Sequence, residues 1–337
     1  IGGGNNNYTS ASNAVVVGGN TNGATGTRSF IGCGLNNRAA GTNSVVVGGS
    51  TNGATGINSF VGGGSQNVAG KNSSVVTGGT QNLAMGDYSA IVSGSNNGTT
   101  GDYSFIGSGS LNQINSQLSF IGGGNNNYTS ASNAVVVGGN VNGATGERSF
   151  IGCGSNNIAS GTNSAVVSGA NKGATGDNSF VGGGDGNFAG LFSFVGSGNI
   201  NNAVGDYSVI AGGQANGATA NYSCIGGGDL NITAGISSTI GGGNQNATSG
   251  LYSVIGGGRL NSIRELGESS VIAGGTTNLI ISPISFIGGG SGNVASGQFS
   301  VIGGGVGNAA ASDYTVSVGG LNNQNFGANT FIGGGIS

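Results

Sequence analysis

The sequence predicts an all-β fold, a parallel β-solenoid of about twenty-two 15-residue coils, and three observations carry the prediction. A 15-residue phrase, plain in SFIGCGLNNRAAGTN from Ser29 to Asn43, recurs from Ile1 to Ser337. Its first five positions alternate with the two-residue period of a strand. The period is also too short to hold a pair of helices, so each copy reads as one coil of strand, turn, shorter strand and turn. Positions are counted from one to fifteen, with Ser29 as one. Coils stacked at about 4.8 Å would build a rod on the order of 105 Å long. An unbroken repeat in which each coil touches only its neighbours reads as a single domain over residues 1–337.

Positions one, three and five, mostly Ser, Ile or Val, and Gly, are expected to face into the coil. Position eleven, mostly Ala or Thr (Ala24, Ala39, Ala54, Thr99), supplies the opposite wall of a thin core. Position six is Gly in every copy, from Gly4 and Gly19 to Gly335, which implies a bend that a Cβ would obstruct. Position nine is Asn in Asn7, Asn22, Asn37, Asn52, Asn67, Asn82 and onward, broken only by Lys172. These residues are expected to form a structural ladder in which each side-chain amide bonds the next and satisfies buried polar groups at the corner.

Positions two and four point away from the coil yet are apolar. Position two carries Phe30, Phe60, Phe105, Phe120, Phe150, Phe180, Phe194, Phe286 and Phe331, each followed two residues later by Gly. Val at position four, as in Val17, Val47, Val92 and Val137, follows Val or Ala instead. Volume is thus held constant on an outer face, and a strand apolar on both faces reads as buried. Left open, this stripe would expose on the order of 1,000 Å² of apolar surface, more than a soluble monomer usually tolerates. It is the expected assembly interface, through which the chain meets copies of itself.

The later coils are looser. A 14-residue coil spans 179–192 and a 17-residue coil 253–269, both altered in the second turn. The longer coil carries Arg259, Arg264, Glu265 and Glu268, read as a protruding charged loop and a possible contact site. Position fifteen gathers Tyr88, Tyr103, Tyr207, Tyr222, Tyr252 and Tyr314, either a stripe for a glycan or partner or simple packing of the turn. The three cysteines, Cys33, Cys153 and Cys224, read as small buried residues; the first two lie eight coils apart, too far for a disulfide.

Function classes are narrowed by what is missing. The chain has no histidine, and Asp87, Asp102, Asp177, Asp206 and Asp313 stand singly, so neither a nucleophile triad nor paired carboxylates are indicated. GGGDGNFAG at 182–190 resembles one calcium-binding nonapeptide, but that motif works by repetition and occurs here once. No metal or cofactor is implied. Seven basic against ten acidic residues, net charge −3, provide no basic face for nucleic acid. No apolar run is long enough to cross a membrane as a helix. The chain opens at position three of a coil and its only methionine is Met85, which reads as a segment of a longer protein. Ile1 to Asn20 recurs unchanged at Ile121 to Asn140, eight coils on, as expected where whole blocks of coils are copied to adjust length.

The phrase S-F/V-I-G-G-G-x-x-N-x-A-x-G resembles the head repeats of trimeric autotransporter adhesins, and the IGGG-and-Asn repeats of phage and bacterial fibres. The resemblance covers the whole chain. It implies a left-handed β-roll, a homotrimer around one axis, and an extracellular role in attachment at a bacterial cell or virion surface, with a host glycan or protein as possible receptor. The adhesin repeats are mostly a residue shorter and lack the invariant Asn, which leaves bacterial adhesin and viral fibre both open. The expectation is a non-enzymatic structural fibre or adhesin shaft that assembles as a homotrimer or a filament. The rival is an ice-binding solenoid, which needs a regular flat rank; Thr25, Thr55, Thr145, Thr175 and Thr219 alternate with Ala, Ser and Gly.

Overall fold

The computed structural model describes residues 1–336, which fall into two compact units, residues 1–170 and residues from 171 onward. Each unit is a parallel β-solenoid, and among the described residues there is no helix. In the first unit, strands at positions two and three run from Val15–Val16 to Ala165–Val166, and strands at positions ten and eleven from Tyr8–Thr9 to Ile158–Ala159. Successive coils pair in register, Val15 with Phe30 and Val16 with Ile31 on one side, Tyr8 with Gly23 on the other. A third line of single-residue bridges joins position seven, as in Asn5 with Asn20. The second unit repeats this plan, from Gly173–Ala174 to Gln324–Asn325 and from Phe180–Val181 to Phe331–Ile332. The 14-residue coil is absorbed without loss of register, Phe180 pairing with Phe194.

The inner faces are as the alternation requires. Ile or Val at position three (Ile31, Val46, Ile106, Ile255) and Ala at position eleven (Ala39, Ala54, Ala295) are fully buried. Each Ile or Val so buried contributes about 1.5–3 kcal/mol. Ser at position one is buried beside them; in some coils its hydroxyl donates to the carbonyl three residues earlier, Ser59 to Gly56 and Ser89 to Gly86 at 2.7 Å, in others to the next coil, as Ser104 to Ser116 at 2.9 Å, while Ser29, Ser44, Ser149 and Ser164 have no partner for the hydroxyl.

Two expectations are corrected here. The first strand is not the longer one; both are two residues long. Alternation stops after position three because the chain is already entering the bend at position six, and position five swings outward with it. Cys33 and Cys153, expected as buried, are therefore exposed, and Cys224 at position two is half-buried.

Three residues per coil occupy the left-handed region. Position six is glycine with φ from 86° at Gly64 to 107° at Gly154 in the regular coils of the first unit. A Cβ on Gly64 would run into the carbonyl of Gly79 and lie 2.6 Å from Nδ2 of Asn67. Positions eight and fifteen also have positive φ although they are rarely glycine, for example Asn36 at 54° and Asn43 at 58°. This turns the peptide plane over. Strand N–H groups donate forward to the next coil, Val15 to Ser29 at 2.9 Å, whereas Asn36 and Asn43 donate backward to Asn20 and Thr27, each at 2.9 Å.

The 17-residue coil places its extra residues after position eleven. Arg264, Glu265 and Glu268 are exposed on that turn with Leu266, and the Gly267 N–H closes it on the Arg264 carbonyl at 2.8 Å. Arg259 does not belong to this loop. It lies at position seven, bridged to Asn244 and Thr276, because the coil keeps its register up to Ile263.

Candidate functional site

The apolar stripe is on the outside of the coils, as its sequence pattern requires. Phe105, Phe120 and Phe150 are each 37% exposed, Phe194 and Phe286 40%, and Phe331 68%, while Phe30, Phe60 and Phe180 are half-buried. Val17, Val47, Val137 and Val318 are exposed between them. Where Phe coils adjoin, the rings stack, Phe105 on Phe120 at 5.5 Å between centroids and Phe180 on Phe194 at 5.2 Å. Such offset-parallel pairs contribute about 0.5–1.5 kcal/mol beyond area burial.

The pairing of Phe with Gly has a cause within the chain. The ring at position two lies over the glycine at position four: a Cβ there would stand 3.3 Å from Cε1 of Phe120 at Gly122 and 3.5 Å from that of Phe150 at Gly152. The same Cβ would also strike the next coil's carbonyl, that of Val137 or Val167. The ring contact thus gives the Phe–Gly pairing a cause within the chain, and the pairing does not by itself require a second chain; the carbonyl contact recurs at Gly241 and Gly303, whose coils carry no Phe.

The Asn series lines the corner between the two strands. Asn67 donates through Nδ2 to the carbonyls of Gly63 and Gly79, both at 2.8 Å, and its Oδ1 accepts the N–H of Asn82 at 3.0 Å. Asn7, Asn22, Asn37, Asn52 and Asn82 make the same three bonds. The rungs thus run from side chain to backbone rather than from amide to amide. An added bond of the expected kind occurs in some coils, as from Asn97 Nδ2 to Asn82 Oδ1 at 3.1 Å. The site needs two donors and one acceptor within reach of one Cβ. Among the side chains only Asn meets that; Asp lacks the donors, Ser has one, and Gln is a methylene too long. Lys172 takes the same place and is buried too.

The tyrosines at position fifteen are exposed and stack along the coils, Tyr88 on Tyr103 at 5.0 Å and Tyr207 on Tyr222 at 5.0 Å. Phe192 and Phe299, which the Tyr pattern alone does not reveal, extend the ranks onto Tyr207 and Tyr314. Their shared position in the phrase is the signal that finds them. Because the stacked rings cover one another's faces, they offer mainly edges to a ligand. A shallow depression of about 200 Å³ on the second-strand side is lined by Leu83, Met85, Gly98, Gln113 and Asn115, none of them titratable. Burial pushes the Cys224 thiol up from its ordinary range. No protein-family model matches the chain, and no curated protein matches it.

Proposed function

We propose that this chain is a non-enzymatic structural element of an extracellular fibre or adhesin, and that copies associate through the Phe and Val stripe, as a homotrimer or laterally in a filament. The observation that supports the reading is the contrast between a buried, satisfied corner and an open apolar face. The backbone corners are satisfied within the chain by the Asn ladder, while a row of Phe and Val side chains, interrupted at Cys224 and Thr239, faces outward in both units. Such a row exceeds what a single soluble chain usually leaves open. The resemblance to adhesin head and fibre repeats supports three-fold closure, a place on a bacterial cell or virion surface, and a glycan or protein receptor.

Triple replacement of Phe105, Phe120 and Phe150 by Asp puts three carboxylates on this face. The side chains are already partly exposed, so an isolated coil stack tolerates them, whereas a dry interface does not. The expected result is a folded chain, by far-ultraviolet circular dichroism, that no longer associates. A variant that associates as tightly as the unmodified chain would overturn the assignment of this face.

A further inference from the structure

All five Asn–Gly steps of the chain, at Asn22, Asn52, Asn97, Asn142 and Asn216, fall at the ladder position. Asn–Gly is the dipeptide most prone to deamidation, because glycine does not hinder the backbone nitrogen that follows the Asn. In that reaction the deprotonated N of the Gly attacks Cγ of the Asn. The N–Cγ bond forms, the Cγ–Nδ2 bond breaks, and Nδ2 leaves as ammonia, taking up the displaced proton. Water then opens the succinimide at either carbonyl, giving Asp or isoaspartate.

The ladder holds every atom that this reaction must move. At Asn22, Nδ2 donates to Gly18 at 3.0 Å and Gly34 at 2.9 Å, Oδ1 accepts from Asn37 at 3.0 Å, and the Gly23 N–H donates to the Asn37 carbonyl at 2.8 Å. At Asn52 the partners are Gly48, Gly64 and Asn67, and the Gly53 N–H donates to the Asn67 carbonyl at 2.8 Å. Asn97, Asn142 and Asn216 are held in the same way, with Gly98, Gly143 and Gly217 donating to Asn112, Asn157 and Asn231 at 2.9, 2.9 and 2.8 Å. The leaving group, the electrophilic carbon and the nucleophile are therefore each fixed by the adjoining coil.

We infer that these five residues are latent modification sites, inert while their coils are stacked and converted when a coil opens, so that the chain chemically records local unfolding. The record is one-way. Asp would set a carboxylate oxygen where Nδ2 now meets two carbonyl oxygens, and isoaspartate would add a backbone atom to a coil whose register is fixed on both sides. Neither product can restore the corner.

The test is peptide mapping of the intact chain after incubation at mildly alkaline pH, folded and in guanidinium chloride, with Asp and isoaspartate quantified at the five sites. Conversion in the folded chain is expected to be slower by about a hundredfold or more, equivalent to about 2.8 kcal/mol of opening free energy. Its order among the sites should follow native-state hydrogen exchange at the succeeding glycine, which reports the same opening. A folded rate within about tenfold of the unfolded rate, or site rates with no relation to glycine exchange, would overturn the inference.

Discussion

Replacement of Asn67 by Ala tests the ladder at one rung. The side chain is fully buried, and its loss removes bonds to Gly63, Gly79 and the Asn82 N–H. Gly79 keeps the Ser65 N–H on its carbonyl at 2.9 Å, so the groups left most exposed to loss are the Gly63 carbonyl and the Asn82 N–H. An orphaned buried polar group costs about 1–3 kcal/mol, which applies in full to the Asn82 N–H and in part to the half-buried Gly63 carbonyl, so the loss is about 2 kcal/mol or more. Because a solenoid opens locally, the readout is hydrogen exchange by mass spectrometry on peptides covering residues 60–95 rather than a single global unfolding curve. Exchange at Asn82 should accelerate by about thirtyfold or more, the equivalent of about 2 kcal/mol. Asn67→Asp keeps the shape but turns an oxygen toward both carbonyls at the 2.8 Å now spanned by Nδ2, and should be at least as damaging at neutral pH. Acceleration below about fivefold in the Ala variant would show that the ladder does not hold the corner.

Gly64→Ala combines a φ of 86° with a Cβ driven into the Gly79 carbonyl, and should destabilise its coil by about 3 kcal/mol or more, read by the same exchange measurement. Val141 is β-branched at φ 56°, so Val141→Asn should stabilise by about 0.5–1 kcal/mol, seen as slower exchange around residue 141. Thiol labelling of the folded chain should show Cys33 and Cys153 reacting fast and Cys224 slowly. The raised Cys224 pKa means that the folded chain holds this proton more tightly than the unfolded one. Its contribution is thus present below the ordinary thiol range and lost as pH rises from that range through the raised value of the folded chain; Cys224→Ala should remove that part of the alkaline loss of stability.

Periodicity made the solenoid legible because the properties that define it are pairwise ones: Ile31 and Ala39 are inward for the reason that alternation gives. Two-residue strands were not legible, since the Phe-Ile-Gly-Cys alternation continues past Ile31 while the backbone does not. The turned-over peptides at positions eight and fifteen were hidden behind residues as unlike as Asn36, Thr51, Tyr88 and Ile200, although the recurrence of Asn there, as at Asn6, Asn13, Asn43 and Asn58, is a left-handed signature. The Asn residues do line the corner, but most of their bonds go to backbone groups, which leave no trace in the sequence; the expected amide-to-amide bond occurs only in some coils, as from Asn97 to Asn82. The outward direction of the Phe stripe was legible. Its glycine partners have a local meaning that appears only when the ring of Phe120 is seen over Gly122.

The proposal that the stripe is a covered surface is tested most directly by multi-angle light scattering on the unmodified chain at micromolar concentration. Association through the Phe and Val row predicts a mass that is a whole multiple of one chain, three for a closed homotrimer or a larger value for a filament. A stable soluble species with the mass of a single chain would contradict it.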